Sequence, residues 1–476
     1  MGAGGQLAGA SAEYAKATDG ASILLTRAPE GVIARRLLRP VFEGGPRWKL
    51  AFLITLGGST VCWLAILYTI VTGIGVWGNN IPVAWAYAIT NFVWWIGIGH
   101  AGTFISAILL ILEQSWRNSI NRFAEAMTLF AIMQAALFPV LHLGRPWYAY
   151  WIFPYPATTR VWPNFRSALP WDAAAISTYF TVSLVFWYLG LVPDLAAARD
   201  SAPTLAKRRI YGIFALGWRG SAKAWRHYRI AYLILGALAT PLVLSVHSVV
   251  SLDFAIAQLP GWHSTIFPPY FVSGAIYSGF AMVITLIVPV RKIFGLHDIV
   301  TTRHIEAMAK LILVTGSVVY YTYGVEMFIA WYSGSEYEIG MLVQRLTGPY
   351  AWSTWMVYAI NFVSPNLMWF ERIRTSAVWM FVISIFINVA MWLERFWLIV
   401  TSLNRDFLPA SWHIYKPTYV DGAIILGTLF FFMFLFLLFL RFVPFIPISE
   451  TNEVRHMLVK EEARIARERH ERGAAG

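Results

Sequence analysis

The chain has 476 residues, of which 58% are hydrophobic and only 13% charged. That balance excludes an ordinary soluble domain, in which about a quarter of residues are charged. A single cysteine, Cys62, excludes an internal disulfide and any cysteine-ligated iron–sulfur cluster or zinc site, and the net charge of +12 reads as the basic bias of membrane loops, not as a nucleic-acid surface.

Residues 1–48 are rich in Gly and Ala and lack the apolar core of a signal peptide, so they read as a cytoplasmic arm lying on a partner. A bilayer crossing needs about 20 mostly apolar residues. Ten such stretches follow, at 49–72, 84–112, 121–143, 172–196, 228–250, 268–292, 304–332, 352–370, 375–400 and 418–443. They are continuous and not alternating, which favours helices over a β-barrel. The eighth is the least regular, because Asn361, Ser364, Pro365 and Asn366 fall inside it. The expected fold class is an all-α polytopic membrane protein.

An even number of spans puts both termini on one side, and most of the 37 Lys and Arg residues lie there. The positive-inside rule then makes both termini cytoplasmic. The most basic internal loop carries Lys207, Arg208, Arg209, Arg219, Lys223, Arg226 and Arg229, and reads as a topology determinant touching lipid headgroups. Two opposite loops, 145–171 and 251–270, are long and rich in aromatic residues and proline. Segments of this kind lie flat at an interface or form a docking floor for another protein.

A short pattern repeats. Phe92-Val93, a Gly-bearing helix and Glu125-Ala126-Met127 recur about 180 residues later as Phe271-Val272, a Gly-bearing helix and Glu306-Ala307-Met308. Four helices separate the copies, so the copies would be parallel. The expected organisation is an arm (1–48), a peripheral helix with its outer loop (49–83), a first four-helix bundle (84–267), a second bundle with its outer loop (268–417), and a last helix with a charged tail (418–476).

Ionisable groups inside a bilayer cost a few kcal/mol each, so they are functional candidates. His142 closes the third span at the outer side, Asp172 opens the fourth, and His247 and Asp253 bracket the outer end of the fifth. If those spans are neighbours, the four groups form one polar cluster facing aromatic walls. A quinol releases two protons and two electrons, and a neutral imidazole beside a carboxylate can take its phenolic protons. Arg145 would hold a carboxylate ionised or meet headgroups, and Trp147 follows it. Asp172 alone would also serve as a helix cap.

His100 lies near mid-membrane in Gly97-Ile98-Gly99-His100-Ala101-Gly102, among small residues that permit close helix packing. It would hydrogen-bond between helices, relay protons or bind haem. A membrane cytochrome needs pairs of histidines at that depth. The remaining possibility is one haem between His142 and His247. Glu326, Glu394 and Arg395 form a second polar set, either a buried ion pair or a proton route. Glu125 and Glu306 lie close to the cytoplasmic face and read as half-solvated. No metal ligand set stands out.

The Leu143-Gly144-Arg145-Pro146 turn at an outer helix end, with the doubled four-helix unit, resembles the NrfD/PsrC family of quinone-reactive membrane subunits. The likeness covers about Trp48 to Pro444. Within that family, His142-Leu143-Gly144-Arg145-Pro146-Trp147, ten spans and the flanking helices are most similar to the ActC-type subunits of bacterial alternative complex III. Many family members carry Asp where this chain has His142.

The resemblance implies a quinol site, for menaquinol, with His142, Asp172 and Asp253 as its catalytic residues and Arg145, Trp147 and His247 beside them. It implies oxidation at the periplasmic side of a bacterial inner membrane. The partners would be a periplasmic iron–sulfur subunit, a set of c-type cytochromes and a paralogous membrane subunit, with lipid around them and no nucleic acid. No haem or iron–sulfur cluster would sit in this chain. His100, Glu326, Glu394 and Arg395 would be candidates for proton translocation. The alternatives are an ActF-type subunit without a quinol site, a proton-coupled secondary transporter, and a structural anchor.

Overall fold

The computed structural model describes residues 24–152 and 168–474, and every regular element in them is helical, with no strand. In chain order the helices are α1 (Glu30–Phe42), α2 (Pro46–Thr72), α3 (Ala86–Ile111), α4 (Asn121–His142), α5 (Ala168–Asp200), α6 (Leu205–Phe214) and α7 (Ala222–Ala255). They continue as α8 (Phe267–Ile293), α9 (Thr302–Tyr332), α10 (Glu336–Thr347), α11 (Ala351–Leu367), α12 (Ala377–Phe396), α13 (Tyr419–Phe442) and α14 (Ile448–Ala474). A π turn, Trp397–Thr401, extends α12.

The expected spans correspond to α2, α3, α4, α5, α7, α8, α9, α11, α12 and α13 to within a few residues. Nine helices among the described residues are long and apolar enough to cross a membrane. The tenth, α11, has 17 residues, the lower end of the crossing range of about 17–25. Pro365 does not break it. The residue lies in its last turn and packs so tightly against Gly316 of α9 that a Cβ there would come within 2.4 Å of the proline ring.

Helix termini follow local sequence. Ser221 caps α7 by accepting from Ala224 N–H, Ser376 caps α12 through Trp379 N–H, and Thr418 with Asp421 forms a capping box on α13. At the end of α4, Gly144 takes the left-handed conformation (φ +71°) and donates to Leu141 O at 3.0 Å. That turn fixes His142 in the last turn of the helix.

Helices α3, α4, α5 and α7 pack as neighbours, as do α8, α9, α11 and α12, and α3 meets α8 along the middle of the molecule. In the most apolar window of both α3 and α8, 78% of residues are buried, against 22% in α2, so the two helices are the central axis. Their glycines make this approach possible. A Cβ on Gly102 would lie 2.0 Å from Ala124 O, and one on Gly279 would lie 1.8 Å from Ala101 Cβ. Helices α2 and α13 pair at the flank, where Gly427 meets Cys62 and Gly58 meets Phe430.

Both ends of the described chain lie on one side, because Arg27 pairs with Glu462 and Glu30 contacts His456. Two segments expected to face partners also pack on the body of the chain. The described part of the N-terminal arm lies on its own chain: Arg36 pairs with Asp298 at 2.7 Å, and Leu25 N–H donates to Asp298 O at 2.9 Å. The 251–270 loop is likewise folded back, since Trp262 is 3% exposed and its indole donates to Leu398 O at 2.8 Å. The first 23 residues, and Phe153, Tyr155, Trp162 and Phe165 of the other aromatic loop, lie outside the described residues.

Candidate quinone site

Helices α5 and α7 run side by side, and their inward stripes set the site. On α5, Asp172, Tyr179, Ser183 and Phe186 recur at helical spacing and are buried. On α7 the corresponding buried series is Tyr232, Gly236, Ala239, Val243, His247, Val250 and Phe254, with Asp253 beside it and half-buried. Asp172 and Asp253 are near neighbours at the ends of the two helices opposite the chain termini. Among the described residues neither Asp172 oxygen receives a hydrogen bond from any other donor. Two carboxylates have no donor between them, so a hydrogen bond across the pair requires one shared proton.

On another face of the same two helices there is an open groove of about 540 Å³ lined by Trp171, Ala175, Thr178, Val246, Val249 and Leu252, among others. The walls are mostly apolar, with Thr178 and Ser245 among them. Neither aspartate lines the groove, but each directly follows a lining residue in sequence, Asp172 after Trp171 and Asp253 after Leu252.

His142 is placed by the α4 stop. Its ring stacks on Trp77 of the first outer loop, with centroids 6.3 Å apart and an interplanar angle of 27°, and among the described residues its buried Nδ1 has no hydrogen-bond partner. It therefore points toward the α2–α3 connection. Arg145 and Trp147 are exposed, Trp147 at 61%.

His247 is not at the level of the aspartates. Its Nδ1 lies 3.1 Å from His100 Nδ1, about six residues or roughly 9 Å deeper along α7 than Asp253. His100 Nδ1 is also 2.7 Å from Ile96 O. One Nδ1–H on His100, shared between that carbonyl and His247 Nδ1, satisfies both distances. Tyr179 stacks on His100 with centroids 4.6 Å apart, and its hydroxyl donates toward Gly99 O (3.0 Å) and His100 O (3.1 Å). Thus His247 pairs through Nδ1 with His100, while His142 stacks on Trp77.

The second polar set is a connected network. Glu394 contacts Arg395 at 3.0 Å and accepts from Tyr323, whose hydroxyl also accepts from Asn361 at 2.8 Å. Arg395 lies over the Phe271 ring at 4.2 Å, and Phe271 in turn adjoins His247. Glu326 pairs instead with Arg345 of α10 at 2.8 Å. Sequence reasoning missed Arg345 because α10 is amphipathic and lies outside the spans, although its apolar spacing marks it as a helix.

The family comparison covers this part of the chain. Residues 75–405 match the family model described as polysulphide reductase, NrfD. The chain belongs to the NrfD family. The matched region begins after α2 and ends before α13, so the NrfD frame contains both sets of four helices and leaves out the flanking pair. The chain is also 26% identical over 247 residues to a putative dimethyl sulfoxide reductase membrane subunit of Halobacterium salinarum. That match covers 49% of the NrfD chain and 51% of the relative, so the chain spans about half the length of the curated relative.

At the other end of this NrfD frame is a cluster that sequence reasoning missed. Arg122 pairs with Asp194 at 3.0 Å, and Asp194 also accepts from the backbone of Ile448 and Ser449. Arg117 and Asn121 both donate to Glu450. Glu125, expected to be half-solvated, is 1% exposed and accepts from Ser106 (2.5 Å) and Tyr232 (3.0 Å). The start of α14 brings Glu450 over it and closes it from water. Glu306 remains partly exposed, between Lys310 and Arg374.

Proposed function

We propose that this NrfD chain is the quinol-binding membrane subunit of an oxidoreductase complex, and that quinol reacts at the outer ends of α4, α5 and α7. The observation that carries the proposal is the Asp172–Asp253 pair on two helices that also bear an open, mostly apolar groove. A long apolar tail fits such a groove, and the paired carboxyls supply a proton acceptor on the same helices.

Oxidation of a quinol releases two protons and two electrons. His142, with a buried ring nitrogen unengaged among the described residues, takes one phenolic proton. With one proton between them, the Asp172–Asp253 carboxyls have room for one more, which they take from the second hydroxyl. Both groups sit at the helix ends, so the protons leave toward the outer face. The electrons pass to an iron–sulfur subunit docked on that face, because a chain with Cys62 as its single cysteine supplies no thiolate set for a cluster.

In this reading the quinol is menaquinol, the membrane is the bacterial inner membrane, the termini are cytoplasmic and the site is periplasmic. The assembly is of the alternative complex III type, with c-type cytochromes and a paralogous membrane subunit, and His100, Glu394 and Arg395 are candidates for a proton route. The test is quinol-dependent reduction of an acceptor by the purified complex. Replacing His142 with Ala, or both Asp172 and Asp253 with Asn, should lower turnover by about 100-fold, the usual scale for a positioned base. Wild-type kinetics in both variants would remove these residues from the site. A complex in which quinone binds but is displaced only from another subunit would instead identify this chain as a non-reactive paralogue.

A further inference from the structure

The basic loop that sets topology also has a shape. Helix α6 (Leu205–Phe214) is held to the body by Tyr211, whose hydroxyl donates to Phe442 O at 3.0 Å and whose ring meets Phe42 edge-on. On the opposite side α6 presents Leu205, Ile210, Ile213 and Phe214, which are 53–72% exposed, and Leu216 just beyond is 70% exposed. Helical spacing puts these four residues on one half of the helix, facing away from the body, with Arg209 among them. An apolar face this exposed, on the termini side of a membrane protein, lies in acyl chains and not in water.

The charges beside it are of one sign. No Asp or Glu occurs from Ser201 to Leu252. Among the described residues Arg199 is paired with Asp200 and Arg229 with Glu453, whereas Arg209, Arg219, Lys223 and Arg226 have no acidic partner and Arg208 acts on Asp200 only at longer range. Trp218, Trp225 and Tyr228 pack edge-to-face between them and fix the turn that joins α6 to α7. Charge complementarity therefore calls for an anion, and the exposed apolar half calls for acyl chains under it.

We propose that α6 and the 215–226 turn form a binding site for an anionic phospholipid in the leaflet on the side of the chain termini. The headgroup phosphate is held by Arg208, Arg209, Arg219, Lys223 and Arg226, and the acyl chains lie along Leu205, Ile210, Ile213 and Phe214. None of these residues belongs to the quinol site, so this site stands or falls separately.

The test uses the intact complex in nanodiscs with spin-labelled phosphatidylglycerol or phosphatidylcholine, reading the motionally restricted fraction. Wild type should select phosphatidylglycerol by at least about fivefold, and high salt should weaken that selection. A variant with Arg208, Arg209, Arg219, Lys223 and Arg226 replaced by Gln should lose the selection, while Arg35→Gln/Arg39→Gln on α1 retains it. Ile210→Ser/Ile213→Ser should reduce retention of both lipids. Equal selection in wild type and the five-residue variant would overturn the site. Competition by inorganic phosphate at matched ionic strength would also overturn it, by showing a soluble anion site. So would an absence of selection in wild type, as expected if another protein of the complex covers these cations.

Discussion

The two aspartates and the two histidines differ in what surrounds them, and the roles proposed for them follow that difference. Asp172 and Asp253 find only each other among the described residues, with an open groove on another face of their helices. His100 and His247 are fully enclosed, against Tyr179 and Phe271. Replacing Asp253 with Asn keeps a donor for Asp172 but removes one proton acceptor. Quinol turnover should then fall by about 10- to 100-fold with the complex intact, as a steady-state assay would show. Tyr179→Phe keeps the ring stack and removes the hydroxyl from Gly99 and His100 carbonyls. It should cost about 1 kcal/mol, seen as a small drop in the thermal midpoint, while KM for quinol stays near wild type. Asp172 and Asp253 were expected at one level because each stands near the end of a span. His247 was misplaced, because a position near a helix end does not give the direction of the ring, and about a turn and a half of helix separates it from Asp253.

At the scale of helices, two kinds of contact hold the frame: glycine approaches in the middle and buried ion pairs at the termini side. Gly102→Leu would force α3 away from Ala124 and Thr128 of α4, so the variant should fail to accumulate as a folded, detergent-stable protein. Gly57→Leu on the exposed face of α2, where nothing lies within 4 Å of a built Cβ, is the matched control and should accumulate normally. At the other end, Arg122→Met leaves Asp194 buried with only the Ile448 and Ser449 donors. Breaking a buried pair costs about 3–5 kcal/mol, and the start of α14 should become sensitive to protease, with partial rescue by Arg122→Met/Asp194→Leu. Hydrophobic runs made the long helices legible, including α11 with its internal proline. The ion-pair cluster was not legible, because Arg122, Asp194 and Glu450 are far apart in sequence and only the packing of α14 joins them.

For the whole molecule, the matched NrfD region and the packing divide the chain in the same way. The eight spans from α3 to α12 form the core, and α2 with α13 is added at the side. The two sets of four are unequal in chemistry. The first holds the free carboxyl pair and an open groove, while in the second Glu326 and Glu394 each contact an arginine. That inequality favours quinol in the first set. Photoaffinity labelling of the assembled complex with an azido-quinone, followed by peptide mapping, tests the placement most directly. Adducts should map to 168–178 and 246–256, and competition with unlabelled quinol should abolish them. Adducts confined to α9, α10 or α12, around Glu326 and Glu394, would contradict the account.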